Sequence, residues 1–215
     1  MVDDKNEKNR KLTAAEQRRF TAYEAISEEL AGKGYRRTEL TVGIVKANVF
    51  AILIGIPVVI IGFGLFFLIN LGKNFTWLSG HQMIIFVIAF FLLIVVHELI
   101  HGVTWSMFTE HHFGDVEFGF MKEYLTPYCT CKCPLSKGKY IIGALMPLII
   151  LGIIPMAVGI AAGSMLLLLI GIIMVLSAGG DIMIVMNIMK YKSRSEDVLY
   201  LDHPTQAGGV IFEKM

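Results

Sequence analysis

Residues 83–108 read MIIFVIAFFLLIVVHELIHGVTWSMF, a run that opens with fourteen residues free of any polar side chain and then carries His97, Glu98 and His101. At about 1.5 Å of rise per residue, roughly 20 apolar residues cross the ~30 Å hydrocarbon core of a bilayer. The run therefore reads as a transmembrane helix. Two imidazoles and a carboxylate are costly inside such a helix unless they serve one another or a polar cavity, so the same stretch that suggests a membrane protein also suggests a site.

Working outward, three further stretches have the length and apolarity of spans: Ala47 to Leu71, Ile141 to Ala162 and Met165 to Met189. Only Gly163-Ser164 separates the last two, which makes them an antiparallel hairpin. Composition agrees: of 215 residues, 55% are hydrophobic and 17% charged, too little polar material to coat one soluble globule. A net charge of +1 offers no basic excess for phosphates, which argues against a nucleic-acid partner. The expected fold class is an all-α membrane protein: four transmembrane helices, a small cytoplasmic β-hairpin and an N-terminal cytoplasmic amphipathic helix. The N-terminus lacks the short apolar core of a secretory signal, so the first span is read as an uncleaved anchor.

Flanks rich in Lys and Arg tend to stay cytoplasmic. Residues 1–46 hold ten of the nineteen, the 109–140 loop holds Lys122, Lys132, Lys137 and Lys139, and the tail holds Lys190, Lys192, Arg194 and Lys214, against only Lys73 in the first connection. That pattern predicts a multi-pass protein of the cell membrane with both termini and the 109–140 loop in the cytoplasm. It divides the chain into a cytoplasmic segment 1–46, a four-helix membrane domain 47–189 and a cytoplasmic tail 190–215. Within these, Thr13-Ala14-Ala15-Glu16 has the pattern of a capping box opening a helix that stops at Gly32, with Phe20, Tyr23, Ile26 and Leu30 on one side. Residues 35–41 could form a short strand, and the alternation from Asp115 to Cys133, broken at Thr126-Pro127, predicts a β-hairpin.

His97-Glu98-Leu99-Ile100-His101 is a His-Glu-x-x-His motif. Positions i and i+4 lie on one helix face, so His97 and His101 can present two nitrogens to one ion, and zinc suits them. Glu98 is turned about 100° away, placed to act on a metal-bound water as catalytic base without being a ligand. Two histidines leave such an ion short of a ligand. The only ionisable residue deep in another span is Asp181, after Gly179-Gly180, and both helices run in the same direction, which puts His101 and Asp181 at a common depth of roughly 10 to 12 Å from one end. Other readings stand beside this one: a polar cluster that merely joins helices, or an Asp181 that pairs with Lys190 or caps a broken helix. Cys129, Cys131 and Cys133 do not match paired zinc knuckles and are read as ordinary hairpin residues. His203 in Asp202-His203-Pro204 reads either as returning to the site or as part of a turn, and Pro147 and Pro155 are expected to kink the third span.

The His97 to Gly102 box, followed by an Asp after glycine in a later span, resembles the intramembrane zinc metalloproteases of the site-2 protease type, which implies an Asp on a separate helix as third ligand. Ile182 after Asp181 departs from that type. More closely, the chain is similar to a bacterial domain-of-unknown-function family described as putative zincin peptidases. Tyr35-Arg36-Arg37-Thr38-Glu39, Thr126-Pro127-Tyr128-Cys129, Cys133-Pro134-Leu135, Met146-Pro147, Gly180-Asp181 and Leu201-Asp202-His203-Pro204 share in the likeness. The resemblance implies a zincin-like membrane domain and peptidase activity.

The expected function is that of an integral-membrane zinc metallopeptidase, with Zn²⁺ on His97, His101 and Asp181 and Glu98 as catalytic residue. It would hydrolyse peptide bonds of membrane or membrane-proximal substrates, and the hairpin could receive an unwound segment as an added strand. The alternative is a non-catalytic membrane protein that binds metal for structure, sensing or scaffolding.

Overall fold

The computed structural model describes residues 12–121 and 126–215. Lys5, Lys8, Arg10, Lys11 and Lys122, which entered the charge count, lie outside the described residues. In chain order the elements are α1 (Ala14–Gly32), β1 (Tyr35–Thr41), α2 (Ile44–Ile69), α3 (Gly80–Ser106), β2 (Val116–Met121), β3 (Thr126–Cys131), β4 (Leu135–Ser136) and α4 (Lys137–Pro147). A π-helical segment (Leu148–Ile153) follows, then α5 (Ile154–Ala162), α6 (Met165–Ser177), α7 (Gly179–Lys190), β5 (Val198–Asp202) and β6 (Gly208–Lys214).

Three stretches are long and apolar enough to cross a membrane, Val45–Ile69, Gly80–Ser106 and Lys137–Ala162; α6 and α7 make a fourth when counted as one span bent by 48°. On α2 and α3, Ile52, Leu53, Ile60, Leu68, Ile84, Phe91 and Leu92 are all more than half exposed. A continuous apolar surface of this kind suits hydrocarbon, where a helix satisfies its own backbone polar groups. Between Pro147 and Pro155 the third stretch widens into its π-helical segment. Pro155 has no N–H to give the Leu151 carbonyl, so the regular ladder cannot continue there.

Gly163, left-handed at φ 66°, ends α5, and the Ser164 hydroxyl opens α6 by accepting the Leu167 N–H. The hairpin so formed is close-packed because two glycines permit it. A Cβ on Gly159 would stand 2.4 Å from the Leu168 nitrogen, and one on Gly171 2.4 Å from the Met156 nitrogen. Small residues let helix backbones approach where no hydrophobic force drives association. At the same end, the Asn70 side-chain amide donates to the Phe66 and Ile160 carbonyls and ties α2 to α5.

The structure is mostly helical, as expected, but the described residues also carry six strands, more than the hairpin and short strand foreseen. The capping box at Thr13, the 35–41 strand and the 115–133 hairpin are present, but the tail is not a loose end. It supplies β5 and β6 to an antiparallel sheet ordered β1-β6-β5-β4. Alternation gives that sheet two apolar faces: Leu201, Val210 and Phe212 pack under Tyr23 and Leu30 of α1, while Tyr200 and Ile211 pack on Trp105, Tyr140 and Ile188 of the helical part. Buried Glu213 is satisfied by the Tyr191 hydroxyl and the Arg194 and Ser195 backbone N–H groups.

Replacing Gly171 with Val forces the α5 backbone away and is expected to cost about 1–3 kcal/mol. Thermal unfolding in detergent checks this against Gly64→Ala, where a Cβ meets nothing within 4 Å and stability should hold or rise slightly.

Candidate metal centre

His97 and His101 stand one turn apart on the same face of α3. Their Nε2 atoms are 3.1 Å apart and the rings meet edge-on at 4.8 Å. Asp181 lies in the first turn of α7 and faces both: its Oδ2 is 3.1 Å from His97 Nε2 and its Oδ1 3.5 Å from His101 Nε2. The break after α6 makes this possible. A Cβ on Gly179 would stand 2.4 Å from that of Ala51, so the bend rests directly on α2, and the exposed amides of a helix start favour a carboxylate in the first turn.

His101 is held from behind. Its Nδ1 lies 2.9 Å from the Gly143 carbonyl of α4; a carbonyl only accepts, so Nδ1 carries a proton, and in the neutral ring Nε2 keeps its lone pair. The Trp105 ring stacks on the imidazole at 5.1 Å and 16°, and its indole N–H donates to the Tyr140 carbonyl. Only glycine fits at 143, since a Cβ there would be 2.0 Å from Trp105 Nε1.

These donors fit a zinc ion. Bonds of about 2.0–2.1 Å in tetrahedral array place ligand atoms roughly 3.3 Å apart; the closest approaches here are 3.1, 3.1 and 3.5 Å, the two to Asp181 falling on different carboxylate oxygens, and one ligand atom from each residue lies within 4.8 Å of the others. Two imidazole nitrogens and a carboxylate crowded this closely are an acceptor-rich set that calls for a cation. His97 Nδ1 is buried without a partner among the described residues. Among those residues, no other group of three His, Cys, Asp or Glu side chains brings its ligand atoms within shared reach.

Residues 90–195 match the family described as "Putative zincin peptidase". No curated protein and no solved structure matches the chain. The zincin match runs from within α3 to just beyond α7, so it spans the His97, His101 and Asp181 cluster and the hairpin but omits α1, β1, α2, β5 and β6. For this family zinc is the implied metal.

Glu98 is half-buried and stands apart from the three donors, lining a cleft of about 280 Å³ together with His101 and Asp181. One wall of the cleft is β3 from Thr126 to Thr130, and the other is Asp202 to Gly208. On β3 the Lys132 N–H donates to the Asp115 carbonyl, so by alternation Pro127, Cys129 and Cys131 turn their backbone polar groups away from β2. Pro127 thus forfeits no ladder bond. Phe118 crosses from β2 to α3, where a Cβ on Gly102 would lie 2.2 Å from its ring. Arg19 of α1 joins the two walls: it donates to the Pro204 carbonyl at 3.1 Å, pairs with Glu117 at 2.7 Å and lies over the Tyr128 ring.

The remaining candidates are not among the three donors. Cys129 lines the cleft, but burial pushes its thiol well above the usual range, which keeps it a poor ligand and nucleophile at neutral pH. The Cys131 and Cys133 sulfurs are 4.0 Å apart, and the hydrogen bond between them, with burial, raises the Cys131 thiol. His203 turns toward Tyr23 and accepts the Thr205 and Gln206 N–H groups at Nδ1, the turn reading. His111 is exposed beside Asp115. Sequence reasoning gave no role in the site to Gly143, Trp105, Tyr140 or Asp202; of these only Asp202 had drawn notice, in a turn signal and in the family likeness.

Gly143→Ala should displace Trp105 and release His101. In a Trp77→Phe background the remaining indole emission should shift, and zinc affinity should fall about tenfold or more, read by chelator competition.

Proposed function

We propose that the protein is an integral-membrane zinc metallopeptidase of the site-2 protease kind, with His97, His101 and Asp181 as ligands and Glu98 as general base. The observation that carries this is the meeting of Asp181 with both histidines across two separate helices at 3.1 and 3.5 Å. Zinc, when bound there, supplies Lewis acidity and an activated water in its open position. Glu98 takes a proton at its carboxylate and returns it to the leaving amine. The apolar neighbourhood of α3 strengthens electrostatic interactions at the site by excluding bulk water. A peptide bond inside a helix has its carbonyl already hydrogen-bonded, so a membrane substrate unwinds before attack. The outward carbonyls of Pro127 and Cys129 on β3 are suited to receive such an extended segment.

The excess of Lys and Arg in the segment before α2, in the loop carrying the hairpin and in the tail supports a cell-membrane location with the site opening to the cytoplasm. A structural zinc site closes all four positions with protein ligands. Among the described residues the donor group stops at three, which favours catalysis over a scaffold or sensor role.

Two measurements test the reading. His97→Ala and Asp181→Ala should each lose most of the zinc found in the purified wild type by elemental analysis. Glu98→Gln should retain zinc yet cleave a quenched fluorescent transmembrane peptide in proteoliposomes 10² to 10⁴ times more slowly; cleavage at the wild-type rate would refute the peptidase.

A further inference from the structure

Asp202 lies in the wall of the cleft but has no part in the chemistry above. It ends β5, opposite Gly209 of β6, and stands outside the zincin match. Its two oxygens are used separately. Oδ1 accepts the Tyr140 hydroxyl at 2.5 Å, and Oδ2 accepts the Cys131 N–H at 2.8 Å. One carboxylate thus ties the tail to α4 and to the end of β3. The α4 turn it grips is the one that holds His101, because Gly143, three residues after Tyr140, accepts from His101 Nδ1 at 2.9 Å. The Tyr140 carbonyl in turn accepts the indole N–H of Trp105, whose ring stacks on His101. A carboxylate is the side chain that suits this place, since the Tyr140 hydroxyl and the Cys131 N–H converge on its two oxygens, with the Thr130 side chain as a further donor, and it accepts from all of them. Asparagine would accept one and turn an NH₂ toward the other.

We propose that Asp202 is a positioning residue of the metal centre: through Tyr140 it fixes the α4 turn whose Gly143 carbonyl and Trp105 contact set the orientation of His101. The tail sheet is then part of the zinc site's outer support. This rests on the reading of His97, His101 and Asp181 as ligands. Partners behind metal ligands commonly carry 10- to 100-fold of metal affinity.

The test uses the full chain in detergent, with zinc affinity measured by chelator competition and the ligand field by the visible spectrum of the Co²⁺-loaded protein. Asp202→Asn and Tyr140→Phe, the latter keeping the ring but not the hydroxyl, should each weaken zinc binding about tenfold or more and shift the Co²⁺ bands. Asp197→Asn, at an exposed carboxylate just before β5, should do neither. A purely architectural Asp202 would lower the melting temperature of the metal-free protein and leave the Co²⁺ spectrum of the folded fraction unchanged; that result overturns the proposal. If Asp202→Asn fails to fold, Tyr140→Phe decides, and wild-type affinity and spectrum in that variant overturn it. Stoichiometric metal in the wild type with unchanged affinity in both variants removes the positioning role alone, whereas a wild type that takes up neither zinc nor Co²⁺ removes the metal centre as well.

Discussion

Two imidazoles and a carboxylate among apolar helices are costly unless each satisfies the others or a polar cavity does. His97, His101 and Asp181 meet this demand by converging within 3.1 to 3.5 Å of one another, and much of the surrounding structure follows from keeping them there. The bend between α6 and α7 turns Asp181 toward α3. Gly179 lets that bend rest on Ala51, and Gly102 and Gly143 admit Phe118 and Trp105 on either side of His101. Each glycine is a place where a methyl group would push an element away from the cluster.

Support for the cluster extends well beyond the helices. From His101 a chain of ring contacts runs through Trp105 and Tyr140 to Tyr200 in β5. The sheet that ends this chain is itself apolar on both faces, with α1 covering the far side. Arg19 then reaches from α1 to both walls of the cleft. The pieces that hydropathy sets apart as polar ends are therefore packed against the segment carrying the His97, His101 and Asp181 cluster rather than hanging from it.

The spans were legible because a long apolar run is a local signal. Their observed limits differ from expectation by a few residues, as for Ala47 to Leu71 against Ile44–Ile69. The helix pair of His97 and His101 follows from i, i+4 spacing, and Asp181 stood out because it is the lone acid deep in another span. The four-stranded sheet was not legible: β5 and β6 are short, and β6 pairs with β1 some 170 residues earlier, a relation that local alternation cannot express. Asp202 was hidden for a related reason. Asp-His-Pro is an adequate turn signal, and nothing in it reveals that the carboxylate faces Tyr140 while His203 faces α1. Gly143 acts through its backbone carbonyl, which no side-chain pattern announces.

The order of the sheet bears on biosynthesis. β1 precedes every apolar helix in the chain, whereas β6, which lies between β1 and β5, follows all of them. Translation proceeds from the N-terminus, so β1 is made before the apolar helices and its partner β6 only after them. The sheet therefore cannot close until all the apolar helices have been made, and the last strands to be synthesised are those that pack behind the His97, His101 and Asp181 cluster.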